Sequence, residues 1–164
     1  MKATITIDGV SAEVILTPEQ EGLFNPKQFG RHRVKRGVVY WYLICCGEIR
    51  NSSENNDDYD NGRFERGNYF PSFAKALAHA KYTLAVVKVN DRIDQLNQGW
   101  KMVWDLDTRA YSIFYSQLEQ EFDIDFFSSY QSPSVIKYLS TKQIAEQIIK
   151  ELTPELEVIF NYQS

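Results

Sequence analysis

The same order of structural signals occurs twice in this chain, and this internal repeat constrains the fold more than any other feature. Each copy contains two strand-like segments, an irregular stretch, a short aromatic strand and a helix that begins at a hydroxyl residue. The copies span residues 38–98 and 100–152. Two units of this size cannot bury their apolar faces separately, so we expect one shared sheet with both helices against it. The matched positions are Tyr69, Phe70, Ser72, Ala76 and Ala80 in the first copy and Tyr138, Leu139, Thr141, Ala145 and Ile149 in the second.

The N-terminal residues predict a β-hairpin. Asp8-Gly9 suits a two-residue turn because glycine tolerates positive φ. Pairing Ile7 with Val10 then places apolar residues on one face and polar residues on the other. A proline and a glutamine after Thr17 predict a short helix near 18–24. This segment, 1–24, either extends the main sheet or forms a separate ribbon.

The helices of the two copies have clear start signals. Ser72 is the expected N-cap of a long helix over 73–96, and Ser140 or Thr141 of a helix to about residue 152. Thr153-Pro154 predicts a terminal helix within 153–164. Residues 51–68 are polar and predict a surface loop. The stripe expected to face the sheet is Phe73, Ala76, Leu77, Ala80, Leu84 and Val87.

Composition fits one α+β domain over 1–164, with an antiparallel or mixed sheet that carries the helices on one face. Apolar residues make up 43% and charged residues 24% of the 164, as in ordinary globular proteins. The sequence contains no run of about 18 apolar residues, so we expect no segment that spans a membrane. The adjacent Cys45 and Cys46 are interpreted as packing residues. Because the sequence has no disulfide framework, we expect a reducing cytosol.

The net charge is −4, but basic residues are concentrated in one segment. Over residues 27–36 there are five positive charges and no acid. Arginine pairs with phosphate, and an aromatic such as Phe29 can stack on a base. The segment is therefore the best candidate for contacting RNA, DNA or an acidic protein surface, and a solvated loop is the alternative. Its candidate partner-binding residues are Lys27, Arg31, Arg33, Lys35 and Arg36.

The acidic stretch DDYDNGRFERGNYF, residues 57–70, predicts a second contact surface. No register supplies both the glycine and the terminal glutamate of an EF-hand loop. An exposed acidic loop over 54–60 that contacts a cationic partner fits better, with a weak cation site as the alternative. The candidate partner-binding residues here are Asp57, Asp58, Asp60 and Arg63.

No reaction can be read from the sequence. His32 and His79 have no paired metal spacing, and nucleophile-elbow, P-loop and dinucleotide motifs do not occur. The paired carboxylates at 105/107 and 123/125 suit turns and strand edges better than acid–base catalysis. We therefore expect a protein that is not an enzyme, with no cofactor and no metal.

The segments DYDNGRFERGNYFPSFAKA, LNQGWKMVWDLDTRAYSIFY and KYLSTKQIAEQI resemble a broad family of small, mostly uncharacterised proteins from phages and mobile elements of gut bacteria. Some related members are anti-CRISPR or other anti-defence inhibitors. The resemblance covers about 38–152. It implies stoichiometric inhibition of a bacterial defence effector, such as a Cas nuclease complex, or contact with its guide RNA. The alternative is a nucleic-acid-binding accessory protein that uses residues 27–36. The shared landmarks fall on Asp58, Asp60, Asn61, Arg63, Gly67, Asn68, Phe70, Ser72, Ala76, Asn97, Trp100, Tyr111 and Tyr115.

Overall fold

The computed structural model describes residues 2–7, 10–15, 31–103, 107–127 and 135–162. The chain divides into two compact units, Met1–Val34 and Lys35–Ser164. In the first unit, β1 (Lys2–Ile7) pairs antiparallel with β2 (Val10–Ile15), and Ile7 lies opposite Val10 as predicted. The two strands form a separate two-stranded sheet. The helix predicted near 18–24 lies outside the described residues.

In the second unit, the described residues form two hairpins and three helices, which confirms the α+β class. The two hairpins form separate two-stranded sheets, so the prediction of one shared sheet is wrong. The outer edges of β3 and β5 each pair with one bridging residue of their own repeat instead of with a strand of the other hairpin. The elements are β3 (Val39–Leu43), β4 (Ile49–Ser53), α1 (Asp58–Glu65), α2 (Phe73–Asn97), β5 (Ala110–Ser116), β6 (Glu121–Phe127) and α3 (Lys142–Phe160).

The internal repeat is visible in the backbone pairing. Phe70 and Trp41 exchange two N–H···O bonds of 2.8 Å, which adds one residue of strand to β3. Leu139 and Tyr111 make the same antiparallel bridge on β5, with bonds of 2.9 and 3.0 Å. Phe70 and Leu139 are the positions that the sequence repeat aligns. In both repeats a single bridging residue therefore leads directly into the capped helix.

Both long helices begin in the same way. The Ser72 hydroxyl accepts a bond from the N–H of Lys75, and the Thr141 hydroxyl accepts one from the N–H of Ile144. Four residues after each cap, Ala76 and Ala145 are fully buried. A methyl side chain at this position lets the first helical turn lie close to the bridging strand. The predicted caps and the predicted helix over 73–96 are confirmed.

The apolar core lies between α2, α3 and the β5–β6 hairpin. Helix α3 bends at Leu152, whose backbone is not helical (φ −128°, ψ 27°), two residues before Pro154. This matches the predicted break between a helix to about 152 and a terminal helix. The buried core residues are Val89, Ile93, Ile113, Ile136, Leu139, Ala145, Ile148 and Leu156.

Two asparagines on α2 replace a strand partner for residues 135–140. The Asn90 amide donates to the carbonyl of Val135 (3.0 Å) and accepts from the N–H of Lys137 (2.8 Å). The Asn97 amide donates to the carbonyl of Tyr138 (2.9 Å) and accepts from the N–H of Ser140 (3.0 Å). The asparagines are two helical turns apart and lie on one face. The segment that delivers Leu139 is therefore hydrogen-bonded along its length.

The polar stretch 51–68 was predicted to be a loop, and this prediction is wrong. It contains the end of β4 and all of α1. Asp57 caps α1, because its Oδ1 accepts a bond from the N–H of Asp60 (2.9 Å). The sequence of α1 has no apolar stripe and contains a glycine, so local propensity does not predict a helix. Tertiary hydrogen bonds hold it instead.

The turn predicted near Cys46-Gly47 is confirmed, but the role predicted for the cysteines is not. Cys45, Cys46 and Gly47 form the loop between β3 and β4, and the glycine has a φ of 82°. Both thiols are free and exposed, so neither is a packing residue. No helix in the described part of the chain is long and apolar enough to cross a membrane.

Candidate functional site

A buried polar cluster joins α1 to the first hairpin. We call it the tyrosine–carboxylate cluster; its members are Tyr40, Glu54, Asp60, Arg63 and Tyr69. Asp60 is only 1% exposed. Its Oδ1 accepts a bond from the Tyr40 hydroxyl (2.6 Å) and its Oδ2 accepts one from the N–H of Asn55 (2.7 Å). Arg63 donates in turn to the Tyr40 oxygen.

Glu54 is fully buried and makes the second half of the cluster. One carboxylate oxygen accepts from the Tyr69 hydroxyl and the other from the N–H of Asn56, both at 2.7 Å. The rings of Tyr40 and Tyr69 stack with centroids 4.0 Å apart. No buried side-chain nitrogen or oxygen among the described residues lacks a hydrogen-bond partner. The buried polar atoms of the cluster are therefore satisfied, as a stable buried network requires.

The electrostatics of the cluster keep Asp60 ionised. Burial on its own raises the pKa of this carboxyl. Hydrogen bonds from Tyr40, from the backbone of Asn55 and Asp57 and from the Glu54 side chain outweigh it and hold the pKa below its usual value. Burial, together with the bond to Asp60, raises the pKa of the Tyr40 hydroxyl. The Arg63 guanidinium lies 3.7 Å from the centroid of the Tyr42 ring, where it partly balances the buried negative charge.

The structure therefore places the predicted acidic site in two environments. Asp57 and Asp58 are exposed, and their contact with a cationic partner stays a prediction. Asp60 is inside the fold and Arg63 is half-buried, so an exposed acidic loop over 54–60 is wrong for Glu54 and Asp60. The physical reason is that both carboxylates are bonded to tyrosine hydroxyls. Among the described residues, no group of three or more His, Cys, Asp or Glu side chains could hold a metal ion.

The basic segment is only partly described. Lys27 lies outside the described residues. Arg31, Lys35 and Arg36 are exposed, and Arg33 is half-buried. The turn that carries Lys35 and Arg36 is attached to the end of β4, because the N–H of Gly37 donates to the carbonyl of Glu54 (2.7 Å). The segment is therefore directly followed by hydrogen-bonded structure.

A different surface presents large apolar side chains to solvent. We call it the α2 outer stripe: Phe73, Leu77, Ala80, Leu84 and Val87. Its four large side chains are 47%, 37%, 57% and 49% exposed, in chain order. The sequence predicted that these residues, with Ala76, face the sheet. The prediction is confirmed for Ala76, which is fully buried, and for Phe73, whose ring contacts that of Trp41 in β3 edge-on; it is wrong for Leu77, Leu84 and Val87. The packed face of α2 lies on the other side of the helix and contains Ala85, Val89 and Ile93.

The reason for this error is that α2 has two apolar stripes. Ala85, Val89 and Ile93 are spaced by four residues, which is as good a helical pattern as that of the outer stripe. Which of the two stripes is buried can be decided only when the elements that pack against α2 are known. Asn90 and Asn97 flank the inner stripe, and their paired backbone contacts fix it against residues 135–140. A second stripe at helical spacing was thus the signal available in the sequence.

One edge of the outer stripe is basic. Lys81 and Lys88 lie seven residues apart between the outer stripe and α3, and both are exposed. Lys88 pairs with Glu155 of α3 at 3.2 Å. Between the two helices runs an open groove with an apolar floor. It is lined by Lys81, Leu84, Ala85, Lys88, Pro154, Glu155 and Val158.

Comparisons of the chain with protein-family models, with curated proteins and with solved structures found no match. The resemblance to phage and mobile-element proteins therefore stays a prediction. Several of its landmarks now have a role in the fold. Asp60 and Arg63 belong to the tyrosine–carboxylate cluster, Asn97 holds residues 138–140, and Asn68 bonds both backbone groups of Leu43 at 2.7 Å.

Proposed function

We propose that this chain is a non-enzymatic binding protein that acts by stoichiometric contact through the α2 outer stripe. One observation supports this proposal: four large apolar side chains are 37–57% exposed on one face of a 25-residue helix. The opposite face of the same helix is fixed in the core. Single exposed apolar residues are ordinary, but an aligned set on one rigid element is typical of an interaction surface.

The energetics suit association. Complete burial of a large apolar side chain contributes about 1.5–3 kcal/mol, so a half-exposed one retains about 1 kcal/mol to gain on binding. Four such side chains offer a useful driving force. Because α2 is already folded and packed, little conformational entropy is lost from this helix when a partner binds.

The partner class that we propose is a bacterial defence effector, with a Cas nuclease complex as the first candidate. The support is the resemblance over 38–152, which implies an anti-defence inhibitor in the host cytosol. The landmarks of that resemblance include residues that hold the fold, such as Asp60 and Asn97. Proteins that share them would share this framework, while the outer stripe would determine which effector is bound.

The test uses a double variant of the outer stripe, Leu84→Glu with Val87→Glu. The matched control is Leu118→Glu, which places a charge on a side chain that is 93% exposed in the β5–β6 turn. We expect purified wild type and control to co-elute with a Cas effector and to restore phage plaques in cells with active interference. The double variant should do neither while keeping its thermal midpoint. Equal inhibition by all three proteins would exclude the outer stripe, and no inhibition by any would exclude the Cas proposal.

A second candidate function is nucleic-acid binding by residues 27–36, favoured by the exposure of Arg31, Lys35 and Arg36. Contact with phosphates predicts a log affinity that falls linearly with log salt concentration. Replacing Arg31, Arg33 and Arg36 by alanine should abolish binding to guide RNA in a filter-binding assay. The outer-stripe variants should bind RNA normally. RNA binding that survives the three arginine changes would exclude this function.

A further inference from the structure

We infer that the α2 outer stripe receives an amphipathic helix of another protein, with acidic residues along the edge of that helix that faces Lys81 and Lys88. This inference rests on the proposed function, because it names the chemistry of the partner that the same surface would bind. Three features of the described residues support it: the spacing of the stripe, the charge of its edge and the groove beside it.

The spacing of the stripe fits a helical partner. Phe73, Leu77, Ala80, Leu84 and Val87 are separated by four, three, four and three residues. Alternation of four and three averages 3.5 residues, the period at which two helices keep contact along a common seam. Phe73 and Val87 are 14 residues apart, which corresponds to a rise of about 21 Å along the helix axis. A partner helix of roughly four turns would match this length. An extended strand has a period of two and would match only part of it.

The edge charge favours acidic residues on that helix. Lys81 and Lys88 stand two turns apart and flank the seam. In the part of the chain that the structure describes, Lys81 makes no ion pair, and Lys88 is bonded to Glu155 while more than half exposed. Residues that flank an apolar seam are those that pair across it and set partner choice. Carboxylates spaced by seven on the partner would meet both lysines.

The same charges disfavour a second copy of this chain. In an antiparallel pair of α2 helices, like edges meet, so lysines would face lysines. In a parallel pair, the lysine edge would meet the opposite edge at Ala76 and Thr83, which carry no charge; Asp94, further along that edge, is already paired with Lys137. Neither arrangement forms an ion pair with the lysines. A heterologous acidic helix pairs with Lys81 directly and shares Lys88 with Glu155.

The groove between α2 and α3 lies on the lysine side of the stripe. Its floor is made by Leu84 and Ala85 from α2 and by Pro154 and Val158 from α3. A large apolar side chain of the partner can insert there while a neighbouring carboxylate reaches Lys81. The groove thus adds apolar contact on the edge that the charges select.

The experiment uses two synthetic 21-residue helices as probes, both with leucine at the seam positions. One carries glutamate and the other lysine at the positions that flank the seam. Fluorescence anisotropy with the full chain should give binding of the glutamate helix at least about fivefold tighter than of the lysine helix. Lys81→Glu should remove or reverse that preference. Lys101→Glu, which changes the net charge equally at an exposed site beyond α2, should preserve it.

Each other outcome decides against the inference. Equal binding of the two probes, no binding of either, or equal effects of Lys81→Glu and Lys101→Glu would overturn it. So would a dimer by light scattering that Leu84→Glu dissociates. The proposed function is judged separately, by effector binding. If Leu84→Glu with Val87→Glu loses the effector while wild type ignores the glutamate helix, the binding function stands and the acidic helix does not.

Discussion

The two repeats build the same junction on different kinds of core. In the first, the inner side of the hairpin carries Tyr40, which is fully buried beside the ionised Asp60. In the second, the corresponding position, one residue before the bridge residue Tyr111, holds Ala110, which is also fully buried, and the core beside it is apolar, with Ile113 and Leu139. Both repeats keep the single-residue bridge, the hydroxyl cap and the buried alanine. The junction therefore requires these three features, whereas the hairpin core can be apolar or polar.

The polar core has a cost that the apolar core lacks. Charges removed from water must regain their interactions inside the protein, and a partly satisfied network destabilises more than it helps. In exchange, a network of directional bonds fixes α1, which has no apolar stripe, against β3. The tyrosine–carboxylate cluster therefore positions α1 against the first hairpin.

The largest effect is expected from the apolar repeat. Leu139→Ala removes a fully buried side chain from the main core and should lower the free energy of unfolding by about 3 kcal/mol, within the 2–5 kcal/mol typical of such cavities. Urea denaturation measures this change. The control Leu118→Ala alters a side chain that is 93% exposed and should be nearly neutral. A loss of stability at Leu139 no larger than at Leu118 would contradict the description of this core.

A smaller loss is expected in the polar repeat from Asp60→Asn. The amide keeps the shape of the carboxyl but replaces one acceptor with a donor, so either Tyr40 or the N–H of Asn55 loses its partner. An unpaired buried donor costs about 1–3 kcal/mol. Asp58→Asn changes the same charge at an exposed site and serves as the control. If both variants unfold at the same urea concentration, the cluster does not stabilise the fold.

The pH dependence of stability separates the repeats further. The pKa of Asp60 is lower in the folded chain than the ordinary value of about 3.9. The stabilisation is therefore complete above that value and is lost as pH falls through the lower, folded pKa. Burial also lowers the pKa of His79, so stability is lost as pH falls below the ordinary histidine pKa towards the lower, folded one. This loss is the same in wild type and in Asp60→Asn, so it does not change the difference between them. The gap between wild type and Asp60→Asn should shrink only in acid. A constant gap down to the acid limit would show that Asp60 is not the titrating group.

The sequence predicted the features that are local and failed on those that depend on neighbours. The pairing of Ile7 with Val10, the caps at Ser72 and Thr141 and the break near Leu152 follow from short-range backbone preferences. The burial of Asp60 depends on Tyr40, twenty residues away, and no local pattern encodes that bond. The choice between the two stripes of α2 depends on Asn90, Asn97 and α3. The spacing of the apolar residues in the candidate binding surface could therefore be read from the sequence, but their exposure to solvent could not.

At the helix caps we expect a loss of stability smaller than those at Leu139 and Asp60, and we expect it to be the same in both repeats. Ser72→Ala and Thr141→Ala each remove one acceptor from a helix N-terminus and should each cost about 1 kcal/mol of unfolding free energy. Ser72→Asp and Thr141→Asp are the controls, because aspartate also accepts the capping bond. Equal losses for the two alanine variants would support the equivalence of the junctions. A loss confined to one repeat would show that the two helices depend on their caps differently.

The smallest change in stability is expected at the edge of β6, where the repeats differ in protection. The backbone N–H and C=O of Tyr111 bond to Leu139 and not to β6. Phe126, which lies opposite Tyr111 on β6, therefore directs its own N–H and C=O away from β5, towards the open edge. The carboxylates of Asp125 and Asp123 accept the N–H groups of Phe126 and Ile124, at 2.8 and 2.7 Å. Each acid thereby occupies a donor that another strand would use, and adds a charge that repels one.

Replacing both acids by alanine should leave the unfolding free energy within about 0.5 kcal/mol of wild type, because the site is exposed. It should, however, promote association at high protein concentration, measured by light scattering. The variant with asparagine at both positions removes the charges but keeps an acceptor for each N–H. Association of the alanine variant alone would assign the protection to the hydrogen bonds, and equal association of both variants would assign it to charge. If neither associates, the edge of β6 needs no such protection, and the acids there do not distinguish the two hairpins.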